Sequence, residues 1–169
     1  MIKESLIFAI VTLISMNVTG QTDTAYCSSP ESSQFDFWLG NWELTWNDTG
    51  KGTNHVEKIL GSCVVQENFN DPANNFTGKS WSMYNATKKE WQQTWVDNQA
   101  GYIVLKGKYA DGKMVLSTEP VKTPDGKESI SRMIFYNITK NSFDWNWEKS
   151  TDGGKTWELN WKIRYVRKG

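Results

Sequence analysis

Between residues 143 and 165 the apolar side chains fall on every second position: Phe143, Trp145 and Trp147, then, after a polar break at 150–155, Trp157, Leu159, Trp161, Ile163 and Tyr165. Asp144, Asn146, Glu148, Glu158, Asn160, Lys162 and Arg164 fill the positions between them. A repeat of two is the period of a β-strand with one buried and one wet face, whereas a helix would scatter the same residues around its circumference. The stretch therefore reads as one long hairpin, and any fold for this chain must give that hairpin a core to cover.

The same period recurs upstream. Alternation or β-rich composition predicts strands over 42–46, 55–60, 63–69, 79–84, 90–97, 102–109, 114–118 and 129–137. Turn chemistry separates them at Asp48-Thr49-Gly50-Lys51-Gly52, Gly61-Ser62 and Asp111-Gly112. Two longer loops, 70–78 and 119–128, carry Pro72, Pro120 and Pro124. The dense run Phe35, Phe37, Trp38, Leu39 and Trp42 fits a short helical cap ahead of the first strand. Ten short strands in sequential hairpins predict an all-β fold, an antiparallel up-and-down barrel of about ten strands, with an open two-layer sandwich as the alternative. Eight strands are nearly filled by their own side chains, so ten leave room for a small ligand.

Residues 1–20 place Lys3 ahead of an apolar run at 6–14, with Val18 and Gly20 before a cut at Gln21. The run is shorter than the roughly 20 residues a membrane span requires, so it reads as a secretory signal peptide. A flexible segment 21–33 and a single domain 34–169 follow. The implied location is periplasmic or secreted, where Cys27 and Cys63 would form a disulfide rather than remain free thiols. Lys and Arg number 19 and so do Asp and Glu. A neutral chain with interspersed signs argues against nucleic acid, and the lack of another long apolar run argues against membrane insertion.

Gly40-Asn41-Trp42 resembles the Gly-x-Trp that opens the first strand of calycin barrels, the lipocalins and fatty-acid-binding proteins. The resemblance implies structural roles for Trp42 and for an arginine of the last strand packed over it, Arg164 or Arg167. Phe35-Asp36-Phe37-Trp38-Leu39-Gly40-Asn41-Trp42, together with 93–98 and 152–157, is similar to an uncharacterised family of exported bacterial proteins with a Phe-Asp-Phe-Trp-x-Gly-x-Trp opening motif. That likeness speaks for the fold and not for an activity. Residues 150–157 also match the Asp-box, Ser-x-Asp-x-Gly-x-Thr-Trp, in which Asp152 would cap turn amides. A propeller would repeat this unit, and the chain holds one copy.

Ten tryptophans fill an interior or line something. Trp81, Trp91, Gln93, Trp95, Trp145 and Trp161 are the candidate ligand-binding residues, with Arg132 as an anchor or counter-ion. The register of 129–137 stays open, because Met133 and Phe135 compete with Ile130, Ile134 and Tyr136 for the inside. Glu67 and Asp97 would share an aromatic cavity in which burial raises carboxyl pKa values and makes acid/base work possible. His55 is the single histidine, on an early strand, so the chain carries no haem, metal or other cofactor signature and no Ser-His-Asp arrangement. Three readings follow. The first is an exported calycin-like barrel that binds a small, largely apolar molecule. The second is an isomerase, lyase or hydrolase using Glu67 and Asp97 on a small sugar or terpenoid-like substrate. The third is a carbohydrate-binding or surface interaction module with exposed, coplanar tryptophans.

Overall fold

The computed structural model describes residues 26–169, so the signal-peptide reading of residues 1–20 lies outside the described residues. The chain forms β1 (Gly40–Trp46), β2 (Gly50–Ile59), β3 (Val64–Asp71), β4 (Phe76–Asn85), β5 (Glu90–Asp97), β6 (Tyr102–Ala110), β7 (Lys113–Ser117), β8 (Val121–Lys122), β9 (Glu128–Tyr136), β10 (Ser142–Ser150) and β11 (Glu158–Arg167). Each strand pairs antiparallel with the next, except that β7 passes over the two-residue β8 to pair with β9. β11 then pairs with β1, placing Trp42 opposite Arg167 and Leu44 opposite Tyr165. That ladder closes a ring of ten strands and rules out the two-layer sandwich.

Alternation decides what faces inward. Trp42, Leu44 and Trp46 on β1, Glu67 and Phe69 on β3, and Ile163 and Tyr165 on β11 are buried, while Glu43, Thr45 and Lys162 face water. An apolar inside and a polar outside invert the arrangement of a transmembrane barrel. No helix among the described residues is long and apolar enough to cross a membrane.

Two 3-10 turns, Pro30–Ser33 and Asp36–Trp38, cover one end of the ring. They insert Phe35 and Trp38 against Phe135, with ring centroids 5.4 and 5.1 Å away. Lys58 holds Asp36 at 2.6 Å, and the Trp91 indole donates to Gln34 Oε1 at 3.0 Å. The Cys27–Cys63 disulfide ties the incoming chain to the loop between β2 and β3 at this same end. Arg167 lies 4.2 Å above the Trp42 ring and donates to the carbonyls of Leu39, Phe37 and Lys140.

Two local departures from simple alternation matter. β2 begins at Gly50 rather than at residue 55, because Gly50 and Gly52 lie under the Trp46 ring, where a Cβ would strike the indole. A register shift between Trp147 and Glu148 interrupts the β10–β11 ladder and leaves Trp157 outside the inward row. Trp157 instead packs on the outer face, its indole donating to Gly154 O. Beside it, Asp152 accepts from the amides of Lys155 and Thr156 and from the Thr156 hydroxyl, which holds its carboxyl well below the usual carboxylate range.

Candidate functional site: an aromatic cavity at the open end

The end opposite the cap is formed by the close of β3, β5 and β10 and the start of β4, β6 and β11. Inside it lies a cavity of about 220 Å³. Its wall is Phe69, Phe76, Trp95, Ile103, Trp145, Trp147 and Trp161, and its inner end is Trp38, Glu67, Met133, Phe135, Ile163 and Tyr165. The rings brace one another edge to face: Phe69 and Trp145 lie 5.8 and 5.9 Å from Trp161. Trp95 lies across Gly78 on the neighbouring strand, at a point where any side chain would collide with the indole. The volume is below the range of roughly 300–1,000 Å³ typical of drug-sized ligands, so the cavity suits a smaller guest.

One acid reaches the inner end. Glu67 is 6% exposed; Asn54 Nδ2 donates to its Oε1 at 2.6 Å and Ser80 Oγ to its Oε2 at 2.6 Å. Burial disfavours the charged form more than these two donors favour it, and the carboxyl is pushed up to about 7. The Asn54 amide also donates to the Tyr165 hydroxyl at 3.4 Å. Burial first, and then the neighbouring Glu67 charge, push the Tyr165 phenol upward. Asn54 Oδ1 and Trp38 Nε1 are buried with no partner.

Of the residues expected here, Trp95, Trp145 and Trp161 line the cavity. Asp97 lies at its rim but behaves opposite to expectation. The Trp95 indole and the amides of Gly101 and Gln99 donate to its carboxylate, so its pKa is lowered rather than raised, and its job there is to cap the β5–β6 turn. Trp91 and Gln93 are buried in the packed core, Gln93 donating to Ser82.

Trp81 and Arg132 belong to the outer face. Trp81 alternates with the buried Ser80 and Ser82 and donates to Gln66 Oε1. Met133 and Phe135 take the inside of β9, which turns Arg132 outward, 2.6 Å from Glu148 and 3.7 Å from the Trp157 ring centre. Arg164 is likewise outside, paired with Asp144, so the arginine over Trp42 is Arg167. His55 projects from β2 toward Asn41 Oδ1 at 2.7 Å, outside the barrel.

Sequence reasoning missed Asn54, Ser80 and Tyr165 as the partners of Glu67, and Phe69, Phe76 and Trp147 as cavity wall. The signals were present: Asn54 is two residues from the inward Val56, and Ser80 and Ser82 are small polar residues alternating with the larger Trp81 and Met83. Among the described residues no group of three or more His, Cys, Asp or Glu could hold a metal ion. The geometry can enclose a small apolar body, orient one polar group at Glu67, and exchange a proton there near neutral pH. Comparison with protein-family models and with curated proteins finds no match to this chain.

Proposed function

We propose that this chain is an exported, calycin-like barrel that binds a small, largely apolar ligand in its aromatic cavity, with the ligand's polar group directed to Glu67. The observation that carries this reading is the pairing of an aromatic wall with a single buried carboxyl at the inner end of the cavity. Export is supported by the Cys27–Cys63 disulfide, a bond that persists in oxidising compartments. Because Trp95, Trp145 and Trp161 would touch any guest, a panel of small lipophilic compounds is expected to quench or shift intrinsic tryptophan fluorescence. Silence across the panel would remove the proposal.

A second reading draws on the Glu67 carboxyl, whose pKa near 7 suits a general acid or base. With Asp97 committed to its turn, such an enzyme would work with one acid. Glu67→Gln is then expected to abolish turnover of any substrate found for the cavity, and unchanged turnover would eliminate the enzymatic role.

A further inference from the structure

We propose that the cavity selects organic cations: a compact amine whose apolar body lies among the indoles and whose ammonium group meets Glu67. This rests on the ligand-binding reading and names the chemical class of the guest. Among the residues lining the cavity there are two carboxylates, Glu67 and Asp97, and no lysine, arginine or histidine. The remaining wall is mostly indole and phenyl, whose ring faces carry partial negative charge and attract cations, most strongly when water is excluded.

Beside Glu67, Asn54 commits its amide protons to the carboxylate and to Tyr165, leaving Oδ1, in a residue 2% exposed, as an acceptor with no donor. Asn54 itself lies behind the lining, so the charged acceptor a guest meets at the inner end is the Glu67 carboxylate, and an ammonium group brings it donors and a positive charge together. The arginines that could have supplied that charge are engaged outside the barrel, Arg132 by Glu148 and Arg164 by Asp144. An anionic guest would instead bring a second negative charge beside the Glu67 carboxylate with nothing to neutralise it, and a neutral guest would gain no attraction from that charge. Of the buried polar atoms without a partner, Trp38 Nε1 belongs to the cavity lining; it is a donor and gives the amine no help.

The groups facing Glu67 are Asn54 from β2, Ser80 from β4 and Tyr165 from β11, with Asp97 as the other acid of the cavity. Of these, Glu67 alone changes charge near neutrality. A bound ammonium ion favours the carboxylate, so binding releases a proton wherever Glu67 was still protonated.

Titration calorimetry of the full chain with three probes of one shape, 2-phenylethylamine, 2-phenylethanol and phenylacetate, tests the proposal. The amine is expected to bind at least roughly tenfold more tightly than the alcohol, with phenylacetate weakest. Amine affinity should strengthen as pH rises through about 7 while alcohol affinity stays level. Glu67→Gln should erase the preference for amine over alcohol, and if that variant fails to fold, the pH profile of the unaltered protein carries the test. Alcohol or phenylacetate binding as tightly as the amine, or amine affinity indifferent to pH, overturns cation selectivity and leaves the cavity reading standing. Binding only by neutral members of a lipophile panel does the same. No binding by the three probes or by the panel removes both.

Discussion

The two ends of the barrel are built from the same kinds of residue and end up in different states. At the capped end Phe35, Trp38, Trp42 and Phe143 are at most 1% exposed, Trp42 meeting Phe143 edge to face and Phe35 lying tilted against Trp38. At the open end Phe76, Trp95, Trp147 and Trp161 alternate along their strands in the same way, yet each keeps part of its surface free and together they surround a cavity. The difference lies in what covers them. The N-terminal segment pushes two rings into one end, and the loops of the other end insert none. Aromatic content by itself therefore does not separate a core from a binding site; the presence of a plug does.

Four measurements test whether the two ends differ in this way. Removing the plug should cost most: Phe35→Ala leaves a void in the tightest part of the core and is expected to lower unfolding free energy by about 3–5 kcal/mol in denaturant titrations, whereas Trp147→Ala at the mouth should cost far less. Replacing Cys27 and Cys63 by serine releases a closure spanning 36 residues at the capped end and should lose roughly 3–4 kcal/mol by the same assay.

Glu67 gives the third expectation. Its pKa is about 7 in the folded chain against an ordinary 4.5, so between those values the folded state holds a proton that the unfolded state has released. The stability this group contributes is full below 4.5 and is lost as pH rises through 7, by a total on the order of 3 kcal/mol. Chemical denaturation across this range should show the decline in the native chain and a flat profile in Glu67→Gln. The smallest effect belongs to Arg132→Ala, which breaks an outer ion pair and a ring contact. It should cost about 1 kcal/mol in denaturant and leave ligand-induced fluorescence changes intact, since the residue lies outside the cavity.

Much of this architecture was legible from residue spacing alone. Period-two alternation located ten strands, and the turn residues at Gly61-Ser62 and Asp111-Gly112 placed hairpins where the structure has them. The side of β9 was not legible, because Ile130, Ile134, Met133 and Phe135 make both faces apolar, and only the neighbouring strands decide between them. Nor did the irregularity after Trp147 have a sequence signature, so Trp157 read as part of the inward row when it lies outside. The acids show the deeper limit. Glu67 and Asp97 both alternate with aromatic residues, but the fate of each depends on its donors: side chains of the two neighbouring strands for one, the amides of its own turn for the other.

The pairing of β11 with β1 also sets an order of events. A chain made from its N-terminus forwards can zip successive hairpins as they emerge, but β1 finds its second partner only when residues 158–167 arrive. Until then two strand edges are exposed at once, and the contact that ends this exposure spans nearly the whole sequence. Such separations are slow to close, so shielding the nascent edges from other chains matters more here than for a bundle of local contacts.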